Sequence, residues 1–224
     1  LTYSVNPAVD GLTLAGDIFS FDPSHASYQD LDEGDTLDVT VNYTVSDGTD
    51  TDSGSFVITV TGANDAPVAT FTTQQNVNED DAVINGSVTS TDVDADDTAT
   101  YSLDNGPIAG FTFNVDGSWS FDPSDATYQH LEAGVSETIA INYTVTDSEG
   151  ATNSTSFNIV ITGINDAPVA TFNTAQAATE DAAVVSDTLT ATDVDDNANL
   201  TYSVNPAVDG LTLAGDIFSF DPSH

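Results

Sequence analysis

Apolar and polar residues alternate along most of this chain. The longest alternating runs are 37–45, 56–60, 139–145 and 157–161, in which every second residue is Val, Ile, Leu, Phe or Tyr. Since successive side chains of a strand point to opposite faces, this period of two predicts strands with one buried face. Shorter runs of the same kind are separated by Gly, Pro, Asn and Asp turns. No stretch has a helical period, so the chain is predicted to be all-β.

The runs recur with a period of about 100 residues. The segment Gly-x-Asn-Asp-Ala-Pro-Val starts at Gly62 and again at Gly163. We divide the chain into a partial repeat (1–62), a complete repeat (63–163) and a second partial repeat (164–224). The complete repeat has about seven predicted strands, including 68–77 and 82–91, which favours an antiparallel β-sandwich. A single closed sheet is the alternative.

Residues 1–25 are identical to residues 200–224. The chain therefore begins partway through one repeat and reaches the same point two repeats later. We expect it to be a window from a longer array of tandem repeats.

The charge of the chain limits its partners. It has 37 acidic residues and no Lys or Arg, for a formal net charge of −37. Nucleic acid and anionic membrane surfaces need cationic side chains and are excluded as partners. No apolar run approaches the ~18 residues of a membrane span, so direct membrane insertion is not expected. Self-repulsion of this size predicts that the native state recruits cations.

Polar side chains in the linkers and in the acidic loops are the candidate cation ligands. In an up-and-down sandwich, alternate loops gather at each end of the domain. At the end where the chain enters the complete repeat, these are Asn64, Asp65, Asp92, Asp94 and Asp147. At the opposite end they are Glu79, Glu132, Asn165, Asp166, Asp193 and Asp195. Clustered carboxylates repel one another, and Ca2+ takes six to eight oxygen ligands of this kind.

The acidic run that starts at Asp92 is not an EF-hand. Asp97 stands where that loop requires Gly, and Leu103 where it requires Glu. Its recurrence as Asp193-x-Asp195, again just after a linker, favours the metal interpretation over a solvated loop.

These motifs resemble a known family. Gly-x-Asn-Asp-Ala-Pro-Val closes a repeat, Tyr-Thr-Val-x-Asp precedes the last strand, and Phe-Asp-Pro precedes Tyr-Gln-x-Leu. Over the whole chain this resembles the VCBS repeats of large bacterial RTX-type surface adhesins, which are similar to cadherin domains. The resemblance implies tandem Ig/cadherin-like sandwiches stiffened by Ca2+, located outside the cell or on the bacterial surface, and used in adhesion and biofilm formation.

The cadherin ligand pattern can be carried over by position. The resemblance implies ligands at the linker, at the Asp-x-Asp run, at the end of the first strand and before the last strand: Asn64, Asp65, Asp92, Asp94, Glu79 and Asp147. The loop ligand matches Asp32 or Glu132 only loosely. Gly62 and Ala66 stand where the cadherin linker has an aspartate and an asparagine, so we expect one to three ions per junction.

The expected role of the chain is that of a stalk. A glycan-binding module and a self-assembling fibre are the two alternatives, and no catalytic activity is expected. There is no Cys or Lys, and His25 and His224 have Asp125 as their counterpart in the middle repeat, so no nucleophile and base recur together. A glycan-binding module would need exposed aromatic residues, whereas alternation places Trp119 on an inward face. A self-assembling matrix fibre, in which chains associate laterally, stays open.

Overall fold

The structure is a computed structural model that describes residues 1–94 and 96–224. The described residues form short strands and one 3-10 helix, Ala26–Tyr28. The strands are β1 (Thr2–Val5), β2 (Leu12–Ala15), β3 (Ile18–Phe21), β4 (Thr36–Ser46), β5 (Thr51–Thr61), β6 (Val68–Ala69), β7 (Gln75–Asn78), β8 (Ile84–Ser87), β9 (Ser90–Thr91), β10 (Thr100–Leu103), β11 (Phe111–Phe113), β12 (Ser118–Phe121), β13 (Ser136–Thr146), β14 (Thr152–Thr162), β15 (Val169–Ala170), β16 (Val185–Thr188), β17 (Ala191–Thr192), β18 (Leu211–Ala214) and β19 (Ile217–Phe220). Within the described residues, no helix has the length and apolar character needed to cross a membrane.

Two sheets face each other in the middle repeat. One has the strand order β10-β13-β14-β7 and the other β11-β12-β8, and a short pair, β6 with β9, completes the repeat. Neighbouring strands are antiparallel except β7 and β14, which run parallel. The predicted all-β sandwich is confirmed, and the described strands form separate sheets instead of a single closed one.

The inward residues of these sheets form the core. On the long strands they are Ile141, Tyr143, Val145, Phe157, Ile159 and Ile161, all almost fully buried. Trp119 is 3% exposed, and its ring centroid lies 5.4 Å from that of Phe157. Because each such side chain stabilises the fold by about 1.5–3 kcal/mol when fully buried, the alternation read from the sequence identifies the main stabilising contacts.

The first two strands of the middle repeat are interrupted, which the sequence pattern did not predict. The predicted strand 68–77 is β6 and β7, because the chain changes partner from β9 to β14 between them. Phe71 lies in this crossing, where its amide donates to the Tyr143 hydroxyl (3.2 Å) and its carbonyl accepts from it (3.0 Å). The predicted strand 82–91 is β8 and β9, separated at Val88, whose amide donates to the Gly117 carbonyl.

The outer parts hold fewer strand pairs. Residues 1–62 form the sheets β1-β4-β5 and β2-β3, and residues 164–224 form β15-β17 and β16-β19-β18. Thr2–Val5 pairs with β4, but the identical residues 201–204 form no strand. Residues 164–224 contain no counterpart of β4, so this segment lacks a partner. No described strand pair crosses Gly62 or Gly163, and the division of the chain at these glycines stays a prediction.

Candidate cation-binding junctions

Polar side chains gather around the linker between the first and middle repeats, a group that we call the first junction. The Asp65 amide donates to Asp94 Oδ2 (2.7 Å), and the Asp94 amide donates to Asp92 Oδ1 (3.2 Å). The Asp-x-Asp run that follows β9 is therefore folded against the linker backbone.

Asp147 reaches the same linker from the loop between β13 and β14. Asn64 Nδ2 donates to Asp147 Oδ2 (3.1 Å), while the amides of Gly150 and Ala151 donate to Oδ1 at 2.6 and 2.7 Å. Burial alone would raise the pKa of Asp147, but these hydrogen bonds favour the carboxylate and the net pKa is lowered. The side chain is thus held in its charged form beside Asn64.

Three carboxylates converge at the first junction. Oxygens of Asp92, Asp97 and Asp147 all lie within 4.8 Å of one another. Asp94, 5% exposed, lies beside them, and its pKa is raised first by burial and then by the charges of Asp65, Asp92 and Asp97. Asp97 was not predicted as a ligand, and its only sequence signal is its place in the acidic run.

The second junction is the corresponding group around Asn165 and Asp166. The Asp166 amide donates to Asp195 Oδ2 (3.0 Å), and the Asp195 amide donates to Asp193 Oδ1 (3.1 Å). The linker and the Asp-x-Asp run therefore have the same arrangement at both junctions.

Glu79 lies fully buried at the second junction. It follows β7, and the pairing of β7 with β14 brings it to the linker, where Oε1 accepts from the Ile164 amide (2.7 Å). Oxygens of Glu79, Asp166 and Asp195 lie within 4.8 Å of one another. Burial raises the pKa of Glu79, and the charges of Asp166, Asp195 and Asp80 raise it further against the bond from Ile164. The pKa of Asp166 is also raised, first by burial.

Most buried side-chain polar atoms without a hydrogen-bond partner lie at these junctions. In the described part of the chain, seven of the eight such atoms are junction oxygens: Asn64 Oδ1, Glu79 Oε2, Asp92 Oδ2, Asp94 Oδ1, Asp97 Oδ2, Asp166 Oδ2 and Asp195 Oδ1. Unpaired buried carboxylates are costly, and the sequence has no Lys or Arg to pair with them. Carboxylate and amide oxygens are the ligands that Ca2+ takes, so this donor set fits a hard divalent cation.

Comparison with known families accounts for the middle repeat. Residues 64–163 match the family model described as "Bacterial cadherin-like domain". The middle repeat is thus similar to bacterial cadherin-like domains over its whole length. This confirms the resemblance to cadherin repeats that the linker and loop motifs predict.

Solved structures extend the likeness in fold to nearly the whole chain. A crystal structure of mouse cadherin-23 EC22-24 is similar at 20% identity and a TM-score of 0.53, covering 98% of this chain and 74% of that one. Protocadherin gamma B7 extracellular cadherin domains 1-4 are similar at 15% identity and a TM-score of 0.51, covering 98% and 57%. At these identities the likeness is one of fold. No curated protein matches this sequence.

Seven of the twelve predicted ligands lie outside the two clusters of three carboxylates. The contacts of Asn64, Asp65, Asp94 and Asp193 are given above, and Asp32, Glu132 and Asn165 remain. Asp32 Oδ1 accepts from the Asp96 amide (3.4 Å), and Glu132 Oε1 accepts from Asn197 Nδ2 (2.7 Å). Asn165 Nδ2 donates to the carbonyl oxygen of the next residue (2.6 Å). Asp32 and Glu132 thus hold the acidic run of the following repeat, and Asn165 bonds within its own linker.

Gly62 explains one departure from the cadherin linker. A Cβ at Gly62 would lie 2.2 Å from the carbonyl oxygen of Asp32, and one at Gly163 would lie 2.3 Å from that of Glu132. Real Cβ atoms do not approach this closely, so the aspartate of the cadherin linker cannot stand here without a backbone shift. Gly62 packs the first linker against the loop before β4, and Gly163 packs the second linker against the loop before β13.

Proposed function

We propose that this chain is a segment of an extracellular array of cadherin-like repeats that Ca2+ makes stiff. In this proposal the array is the stalk, or extender, of a bacterial surface adhesin used in cell adhesion and biofilm formation. Its partners are Ca2+ and the neighbouring repeats, and it has no catalytic role.

One observation carries the proposal. At the second junction, Glu79 belongs to the repeat before the linker, Asp166 to the linker and Asp195 to the repeat after it, yet their carboxylate oxygens lie within 4.8 Å of one another. Each of the three also has an unpaired buried oxygen. A cation bound to all three would tie two repeats together.

The mechanism is a linkage between ion binding and order. Two unit charges 4 Å apart repel by about 1 kcal/mol in water and by about 4 kcal/mol at an effective dielectric constant of 20. Without a cation, the clustered carboxylates therefore push the repeats apart. An ion that binds only the ordered junction stabilises it by RT ln(1 + [L]/Kd), about 2.7 kcal/mol when its concentration is 100 times Kd. Extracellular modules commonly bind Ca2+ with dissociation constants of about 0.1–1 mM.

Small-angle scattering of the 224-residue chain tests this function. We expect a longer, more rigid particle in millimolar Ca2+ than in chelator. The Asp65→Ala, Asp94→Ala double variant should stay flexible at the first junction with the middle repeat folded. The matched control, Asp50→Ala with Asp52→Ala, removes two exposed charges at the far end of β5 and should stiffen like the unmodified chain. Scattering that does not respond to Ca2+ would count against the proposal.

The same measurement separates the stalk from its rivals. An increase in particle mass with Ca2+ would favour the self-assembling fibre. Glycan binding has less support, because the aromatic side chains most suited to stacking on a sugar, Trp119 and Phe121, are buried in the core.

A further inference from the structure

Asp97 is the one member of the carboxylate clusters that does not recur. Its partners at the first junction, Asp92 and Asp147, belong to the motifs shared by the repeats. At the second junction the acidic run reads Asp193-Val-Asp195-Asp-Asn-Ala198. Alignment on the shared Thr-Tyr-Ser that follows places Ala198 at the position of Asp97.

The Asp97 carboxylate is turned toward the cluster. Its Oδ2 is buried without a hydrogen-bond partner. Its Oδ1 lies 2.5 Å from Ser148 Oγ, which also lies 2.7 Å from Glu149 Oε2. One hydroxyl has one proton, so Ser148 can donate to only one of these carboxylates. The other carboxylate then faces the Ser148 oxygen with no proton between the two oxygens.

Asp94 supplies an independent indication that a ligand belongs here. It is 5% exposed, and its Oδ1 has no partner. Its other oxygen is already engaged by the Asp65 amide. In its charged form a buried carboxylate of this kind is costly without a positive charge beside it, and no Lys or Arg exists in the chain to provide one.

The spacing of the cluster fits a single ion. Ca2+ lies about 2.3–2.6 Å from its oxygen ligands, so two ligands on opposite sides of one ion are about 5 Å apart. The oxygens of Asp92, Asp97 and Asp147 lie within 4.8 Å of one another, inside that limit.

We propose that Asp97 is an additional cation ligand of the first junction, beside Asp92 and Asp147, and that the second junction has no equivalent ligand. The inference rests on the proposed function, because it assumes that the junctions bind Ca2+. Affinity in such sites rises with the number of charged ligands, and Ala198 offers no ligand at the equivalent position. Asp97 therefore raises the Ca2+ affinity of the first junction above the value that its other ligands alone would give.

Calorimetric titration of the 224-residue chain with CaCl2 tests the assignment. Asp97→Asn should weaken one Ca2+ site, that of the first junction, by about tenfold or more. Asp96→Asn is the matched control, because Asp96 is exposed, adjacent and of equal charge, and it should change the affinity by less than about twofold. Asp166→Asn, at the second junction, should leave the site that Asp97→Asn weakens unchanged. Melting curves in chelator verify that all three variants are folded.

The outcomes distinguish the inference from the function on which it rests. If the unmodified chain binds Ca2+ and Asp97→Asn behaves like Asp96→Asn, the Asp97 assignment is wrong and the proposed function stands. If Asp166→Asn weakens the same site as Asp97→Asn, Asp97 does not act at the first junction alone and the inference fails. If the unmodified chain binds no Ca2+, both fail together.

Discussion

The two junctions have the same linker geometry but take their other carboxylates from opposite sides. At each, the second linker residue donates its amide to the Asp-x-Asp run, with 2.7 Å between Asp65 and Asp94 and 3.0 Å between Asp166 and Asp195. The first junction adds Asp147, from the repeat after the linker. The second adds Glu79, from the repeat before it.

Each junction thus has two parts. The local half comes from residues near the linker in sequence, and the borrowed half is a carboxylate that a distant segment brings to the linker. The local half is the linker with the run 29 residues later. Residues 1–62 do not include the equivalent of Glu79, and residues 164–224 do not include the equivalent of Asp147, so each junction of this chain has only one of these two carboxylates. The two borrowed carboxylates also differ in electrostatics, because amide donors lower the pKa of Asp147 whereas burial raises the pKa of Glu79. Both junctions nevertheless keep buried carboxylate oxygens without a hydrogen-bond partner, so both favour a bound cation.

Among the changes proposed here, removing the charge of Glu79 should have the largest effect on the difference in Ca2+ binding between the two junctions. Glu79→Gln takes a ligand from the second junction only, so we expect Ca2+ affinity there to fall by at least about 100-fold while the first junction is unchanged. Calorimetry counts the remaining ions, and limited proteolysis followed by mass spectrometry reports whether the second linker is cut in Ca2+.

Asp80→Asn is the matched control for this change, since it removes one exposed charge next to Glu79. It should retain full stoichiometry and protection of the second linker. Equal binding by Glu79→Gln and Asp80→Asn would show that the buried glutamate is structural, and the two junctions would then differ only in packing.

The sequence predicts the fold wherever a strand has its partner in the chain. Thr2–Val5 is predicted as a strand and pairs with β4, whereas residues 201–204 have the same sequence and form none. Local pattern sets the propensity for a strand, but a ladder needs a second strand. The break between β6 and β7 was missed for a similar reason, because the Phe71 backbone is held by a hydroxyl from a distant strand.

The candidate site was predictable where it recurs. Asp65 with Asp166, and Asp94 with Asp195, were found because they return at the repeat spacing. Asp97 has no counterpart and looks like any other member of an acidic run, so only the position of the β13–β14 loop identifies it. Asn64 and Asn165 are equivalent in sequence, but Asn64 lies beside Asp147, whereas residues 164–224 do not include the equivalent of that aspartate.

A change of pH should have a smaller effect on the melting temperature, and the sign of this effect should differ between chelator and Ca2+. The pKa of Glu79 is raised in the folded state, so the folded protein retains this proton to a higher pH than the unfolded chain, whose Glu titrates near about 4.3. The resulting stabilisation is present below that value and is lost as pH rises through the folded pKa. In chelator, the melting temperature should therefore fall between pH 5 and pH 7.

Saturating Ca2+ should reverse this trend, because the ion binds the deprotonated carboxylates. Fluorescence of Trp119, the only Trp and 3% exposed, reports melting of the middle repeat. Glu79→Gln should reduce the slope in chelator. A melting temperature in chelator that rises between pH 5 and pH 7, or a slope unaffected by Glu79→Gln, would contradict the assignment of Glu79 as the titrating group.

The smallest effect should come from the two linker asparagines, which are the cleanest matched pair. Asn64 donates to the Asp147 carboxylate, whereas Asn165 donates only to the backbone of the next residue. In chelator, Asn64→Ala should lower the free energy of unfolding of the middle repeat by about 1 kcal/mol, the usual net value of such a bond. Asn165→Ala should change it by less than about 0.5 kcal/mol, as for most surface substitutions. Urea titration followed by Trp119 fluorescence measures both. Equal losses would mean that the asparagines act through the linker backbone alone, and that the bond from Asn64 to Asp147 does not distinguish the first junction from the second.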